Sequence, residues 1–342
     1  MKRRIIYTIF FILILLGVLN RKLLYYGYIQ AKGQLHVVMN AEPIEEVLKD
    51  IEFPDSLKRK LELVKEVKRF AFDSLGINYS ENYSTIFDQK GKPLLWVVTA
   101  CDPFELKAKE WSFSFIGSFP YKGFFDHDKA VEEEAIWKEQ GLDTNIRTAG
   151  GWSTLGWFKD PILSNMLLRK EGDLASLIIH ELTHGTLFVK DSVQFNENLA
   201  TFIGDKGAEK FIAMKFGLDS DEYKTFIQGL EDQHKFKNHI LSGAKKLDSL
   251  YNAFSEIHSN TFKLEKKQEM ITSIIGTIDT LNLHRQEAYN NYYKDFSPNN
   301  TYFMSFLRYN DKLDILEEEL NENFNGDLKN YLIYLKKKYP SL

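Results

Sequence analysis

Residues 174–188 read LASLIIHELTHGTLF, and this stretch is the most informative part of the sequence for both structure and chemistry. Its apolar residues recur at helical spacing, and His180 and His184 are one helical turn apart. Such positions lie about 40° apart around a helix, so both imidazoles project from one face as two ligands of a tetrahedral zinc site. Glu181 falls beside the open position of that site, where a general base for a water molecule is needed. The alternative is a chance occurrence of this pattern in an ordinary helix.

A third protein ligand is expected from the segment that follows. Residues 195–208 read FNENLATFIGDKGA, and Glu197 lies thirteen residues after His184. The intervening residues include a glycine and an aspartate, which allow the chain to turn and begin an antiparallel helix. Glu197 on that helix would complete a set of two histidines and one glutamate, and Thr201, one turn later, could hydrogen-bond a ligand. Alternatively, Glu197 only complements the helix dipole.

Composition excludes several classes of protein. The chain has 342 residues, of which 44% are hydrophobic and 27% are charged, so intrinsic disorder is excluded. Cys101 is the only cysteine, which excludes a disulfide-stapled scaffold. The net charge of −4 provides no basic field, so we expect no nucleic-acid partner.

The N-terminal segment predicts membrane attachment. Residues 5–19 carry no charge, but as a helix they are only about 22 Å long, short of a hydrocarbon core of about 30 Å. Flanking basic and tyrosine residues could close the gap, so we expect residues 1–24 to be an uncleaved anchor that enters the membrane through residues 5–24. A cleaved signal peptide and a buried helix are the alternatives. The basic N-terminus would stay cytoplasmic, which places residues 25–342 on the outer face of the cytoplasmic membrane, in the cell envelope.

The body is expected to be a mostly helical α+β domain. Strands are predicted at 94–101, 111–118 and 145–158, and helices at 128–140, 173–188, 194–216 and 299–339. Residues 221–293 predict a long helical hairpin that turns near 260–268. Residues 148–158 predict either an edge strand that pairs with an extended peptide or a buried core strand.

The blocks HELTH (180–184) and FNENLA (195–200) resemble the gluzincin metallopeptidases, in which the glutamate of an Asn-Glu pair is the third ligand. The closer resemblance is to the bacterial family of predicted zinc aminopeptidases. It extends over most of residues 25–342. Its further blocks are YYGYIQAKGQL (25–35), YKGFFD (121–126), Gly141 with Asp143, WSTLGWFKDPIL (152–163) and NNTYFMSFLRYND (299–311).

This resemblance implies a zincin-like metallopeptidase domain that acts on peptides or proteins. It implies one zinc ion per chain, held by His180, His184 and Glu197, with Glu181 as the catalytic acid and base. Many members are lipoproteins, whereas this chain lacks the cysteine that a lipoprotein signal needs. The Gly-x-Met-x-Asn type of block, with which aminopeptidase N relatives hold the free amine of the substrate, is also absent from the sequence.

Two questions remain open at the level of sequence. Tyr302 and Tyr309 could each donate to the oxyanion of the reaction, as tyrosines do in peptidases of this group, or each could be a core residue.

The activity could be that of an aminopeptidase or of an envelope endopeptidase. The chain could also be a non-catalytic zinc-containing protein whose hairpin binds a partner. The presence of Glu181 argues against that last alternative, because a structural zinc does not need a base.

Overall fold

Helices dominate the chain, and its strands are short. The computed structural model describes residues 2–113, 117–149, 159–294, 296–310 and 313–339. The helices are α1 (Lys2–Leu19), α2 (Arg21–Met39), α3 (Ile44–Val47), α4 (Asp55–Ser74), α5 (His127–Glu139), α6 (Glu171–His184), α7 (Val193–Phe216), α8 (Asp221–Asn252), α9 (Asn260–Gly276), α10 (Gln286–Tyr292), α11 (Asn300–Asn310), α12 (Leu313–Phe324) and α13 (Leu328–Lys338). The strands are β1 (Glu42–Pro43), β2 (Thr85–Phe87), β3 (Trp96–Cys101), β4 (Trp111–Phe113), β5 (Gly117–Phe119), β6 (Lys122–Phe124), β7 (Asp143–Thr148) and β8 (Ile162–Leu163). The expected mostly helical α+β architecture is confirmed.

The described strands form three small sheets. The first has the order β1-β2-β8, with β1 antiparallel and β8 parallel to β2. The second has the order β6-β3-β7, in which both neighbours are antiparallel to β3 and Val98 pairs with Ile146. The third is the antiparallel pair β4-β5.

The strand predictions are confirmed in part. The segment 94–101 contains β3, whereas the described residues of 111–118 belong to two antiparallel strands, β4 and β5, instead of one strand. Strand β7 covers the beginning of the strand predicted at 145–158. Residues 150–158, and with them most of the predicted peptide-binding edge strand, lie outside the described residues.

The apolar N-terminal run forms α1, which ends at Leu19 before a second helix begins at Arg21. Among the residues that the structure describes, no helix is long and apolar enough to cross a membrane. The expected span over residues 5–24 is therefore not supported. The charged residues Arg21 and Lys22 lie within that segment and already belong to α2.

Helix α2 packs on the body of the protein. The Tyr26 hydroxyl and the Gln30 side-chain amide both donate to the carbonyl of Gly123, at 2.8 and 2.5 Å. The ring of Tyr26 also packs against Phe113 and Phe124. These contacts attach α2 to the β3 sheet and to the β4-β5 pair.

The predicted helical hairpin is present as α8 and α9. Its turn occupies residues 253–259, immediately before the predicted position at 260–268. Ser259 fixes the start of α9, because its hydroxyl accepts a hydrogen bond from the backbone N–H of Phe262. The hairpin packs with α11 around its own core, which includes Phe236, Ile240, Leu247, Ile271, Ile274 and Phe303.

Helices α6 and α7 lie within the larger core and pack against each other. Leu174, Ile178 and Ile179 of α6 are fully buried, as are Leu199 and Ile203 of α7. Each such side chain stabilises the fold by about 1.5–3 kcal/mol, so this burial fixes which faces of the two helices meet.

Candidate metal centre

Helix α6 carries both predicted histidine ligands in its last two turns. His180 and His184 are one turn apart, and their side chains are 17% and 7% exposed. The helix ends at His184, and Gly185 begins the loop that leads to α7. The two imidazoles therefore lie at the end of a helix that the core holds rigidly.

Two hydrogen bonds from one side chain fix the loop between α6 and α7. The side chain of Asn196 accepts a hydrogen bond from the N–H of Val189 and donates one to its carbonyl, both at 2.8 Å. Asp191, within the loop, adopts a positive φ of 56°. These features return the chain so that Glu197, in the first turns of α7, faces the two histidines.

The three donor atoms have the spacing that a tetrahedral zinc ion requires. His180 Nε2 and His184 Nε2 are 3.2 Å apart, and Glu197 Oε2 lies 3.5 and 3.7 Å from them. Zinc binds such donors at about 2.0–2.1 Å, so two donors at the tetrahedral angle are about 3.4 Å apart. The observed distances bracket that value, and the three residues form a group that could hold a metal ion.

The charges of this group also favour a cation. Burial raises the pKa of Glu197, but its contacts with His180 and His184 outweigh burial and hold that pKa well below its usual range. Burial lowers the pKa of His180, but the hydrogen bond with Glu197 and the charge of Glu181 outweigh this effect and raise it. An anionic carboxylate thus faces two imidazoles, which is the donor set of many zinc sites.

Glu181 lies beside the donors but is not one of them. It is 8% exposed, and burial raises the pKa of its carboxyl above the usual value, while the charges of His180 and His184 oppose the increase. A carboxylate with a raised pKa is a stronger base. The structure therefore gives Glu181 the surroundings that a proton acceptor needs.

The three remaining predicted site residues lie on two other helices, α7 and α11. Thr201 is half-buried on α7, one turn after Glu197. Tyr302 is buried in the core of the hairpin, where its hydroxyl hydrogen-bonds that of Tyr293. Tyr309 lies near the end of α11, and its side chain is outside the described part of the chain. The same end of α11 touches the start of α7, because Gln194 donates to the carbonyl of Leu307 at 2.9 Å.

Sequence reasoning missed two features near the histidines. Ser176, one turn before His180, donates to Asp205 on α7 at 2.7 Å. Tyr83 is fully buried with a positive φ of 60°. Burial raises its pKa, and the negative charge of Glu181 adds to the effect. The four-residue spacing places Ser176 and His180 on one face of α6, but no sequence pattern indicates that Asp205 reaches Ser176, and nothing local connects Tyr83 with Glu181.

Comparison with known proteins gives one match. A protein-family model described as "Putative aminopeptidase" matches residues 25–337. No curated protein and no solved structure matches the chain significantly. The matched region contains α6, α7 and all three donor residues. Because the match extends over most of its length, the chain belongs to this family.

Proposed function

We propose that the chain is a zinc-dependent peptidase that removes residues from the N-terminus of peptides. The observation that carries this proposal is the group of three donor atoms 3.2–3.7 Å apart. Two histidines and one glutamate are a known catalytic zinc set that leaves the fourth position open. Membership of the aminopeptidase family supports peptides as the substrates.

The protein's own residues have separate roles in the proposed hydrolysis. When bound, zinc would supply a Lewis acid for the substrate carbonyl and lower the pKa of a water molecule. His180, His184 and Glu197 would hold it. A carboxylate oxygen of Glu181 accepts one proton of the attacking water while the remaining hydroxyl bonds to the carbonyl carbon. Glu181 then gives that proton to the leaving nitrogen as the C–N bond breaks, which regenerates the carboxylate.

The supporting roles are part of the same proposal. Thr201 would hydrogen-bond a ligand, and its place one turn after Glu197 supports that role. Of the two tyrosines considered for the oxyanion, Tyr309 is favoured, because the end of α11 touches the start of α7. Tyr302 is disfavoured for this role, because Tyr293 engages its hydroxyl.

Zinc dependence and specificity are tested together. The purified chain is stripped of metal, divided, and incubated with a peptide library with and without one equivalent of Zn²⁺, and the products are read by mass spectrometry. We expect zinc-dependent loss of N-terminal residues, and no loss from peptides with acetylated N-termini. Internal cuts in acetylated peptides would show an endopeptidase. No cleavage at full zinc occupancy would favour the non-catalytic binding protein.

The gluzincin assignment and the location are proposals that the sequence supports. The Asn196-Glu197 pair after HELTH supports a gluzincin-type site. The uncharged run at residues 5–19 after a basic N-terminus supports attachment to the outer face of the cytoplasmic membrane. The native protein should then stay with membranes after high-salt and carbonate washing and keep its N-terminus. A soluble chain that begins near residue 32 would show a cleaved signal instead.

A further inference from the structure

Helices α6 and α7 approach each other closely beside a candidate ligand, at Gly204. A Cβ atom added to Gly204 would lie 2.9 Å from the carbonyl oxygen of Ser176 and 3.2 Å from the Cβ of His180. The first of these neighbours is backbone, which cannot move aside as the end of a flexible side chain can. A glycine at this position therefore lets α7 lie directly against the turn of α6 that carries His180.

A hydrogen bond between α6 and α7 lies beside Gly204. The hydroxyl of Ser176 donates to Oδ1 of Asp205 at 2.7 Å, and this bond joins α6 to α7. Ser176 precedes His180 by four residues, so both project from the same face of α6. Asp205 follows Glu197 by eight residues on α7, about 12 Å along the helix axis.

His180 is therefore held on both sides by contacts between the same two helices. On one side, its Nε2 lies 3.5 Å from Oε2 of Glu197. One turn earlier, the Ser176–Asp205 bond ties α6 to α7.

We propose that Ser176 and Asp205, brought together by the close approach at Gly204, are a positioning pair that fixes His180 as a metal ligand. The inference rests on the proposed zinc site, whose donor distances must be kept within about 0.2 Å. A bond that fixes the relative position of α6 and α7 at His180 limits the sliding and rotation that would separate His180 from Glu197. Groups that orient metal ligands in this way typically change metal affinity by about 10–100-fold.

The test uses the full chain and measures zinc affinity apart from activity. Metal-free wild type, Ser176→Ala and Asp205→Ala, each of which removes one partner of the bond, are titrated with Zn²⁺ against a competing chelator, and the unfolding of each metal-free protein is followed in denaturant. Glu317→Gln is the matched control. It removes the ion pair, at 2.5 Å, between Glu317 and Lys206, the neighbour of Asp205 on α7, and this pair does not involve α6. We expect both pair variants to lose about 10–100-fold in zinc affinity, and the control to lose less than about threefold.

The outcomes separate this inference from the proposed function. Zinc binding by Ser176→Ala and Asp205→Ala within about threefold of wild type would overturn the positioning role and leave the zinc site intact. An equal loss in Glu317→Gln would overturn it too, because the effect would then be general destabilisation. If Asp205→Ala does not fold, Ser176→Ala decides alone. Failure of the wild type to bind zinc would overturn both proposals.

Discussion

Replacing His184 with alanine should abolish the stabilisation of the protein by zinc. The side chain of His184 is 7% exposed, and its Nε2 lies 3.2 Å from that of His180 and 3.7 Å from Oε2 of Glu197. Its removal leaves two donors 3.5 Å apart, and two ligands bind zinc poorly. The metal would join α6 to α7 in the larger core, so its binding free energy adds directly to the free energy of unfolding.

The size of the effect follows from mass action. At a free zinc concentration of 1,000 times Kd, the wild type gains about 4.1 kcal/mol. For a chain of this size, about 1.4 °C of Tm corresponds to 1 kcal/mol, so we expect a rise in Tm of about 6 °C. In His184→Ala the rise should be less than about 2 °C.

The assay is thermal unfolding of each protein with and without Zn²⁺, at a protein concentration that keeps zinc in excess. Comparing each variant with its own metal-free form removes the cost of losing a buried ring. His234→Ala is the control, because His234 is exposed on α8. A full zinc-dependent rise in His184→Ala, or its loss in His234→Ala, would refute the assignment of the ligands.

Three further predictions concern residues outside the ligand set. Tyr302→Phe should leave peptide turnover unchanged and lower the free energy of unfolding by about 1 kcal/mol, because it removes only the hydrogen bond to Tyr293. A large loss of turnover would instead support Tyr302 as the oxyanion donor. Lys267→Ala should lower the free energy of unfolding, measured in denaturant, by about 3–5 kcal/mol, because Asp143 loses the buried ammonium group that lies 2.5 Å from its carboxylate. A decrease below about 1 kcal/mol would contradict this prediction. Burial raises the pKa of Glu133, but hydrogen bonds from Lys122 and Trp111 outweigh burial and lower it below 4.5. Its stabilising contribution is therefore complete above pH 4.5 and lost as the pH falls through the lower folded-state pKa, so Glu133→Gln should reduce the loss of stability measured between neutral and acid pH.

The sequence predicted those parts of the site that depend on local spacing. The helix at 171–184 follows from apolar periodicity, and the shared face of His180 and His184 follows from helix geometry. The position of Glu197 beside the histidines could be predicted because a short loop with a glycine and an aspartate allows the chain to turn back along the helix that it leaves. The strand β3 was predictable from its run of β-branched and aromatic residues.

Features that depend on distances between elements were not predictable. The Ser176–Asp205 bond requires the helix separation that Gly204 allows, and no pattern in the sequence gives that separation. Tyr302 was an equal candidate to Tyr309 until its contact with Tyr293, on a different segment, was known. The predicted hairpin turn was misplaced by several residues, because the serine that caps α9 is a weaker signal than helical periodicity.

Peptide turnover by wild type and Glu181→Gln, at matched zinc content, tests the central claim most directly. Glutamine keeps the size of the side chain but cannot accept the proton of the attacking water. The account predicts that Glu181→Gln binds zinc and folds as the wild type does, and loses at least about 10²-fold in kcat. Equal turnover by the two proteins would contradict the proposed mechanism.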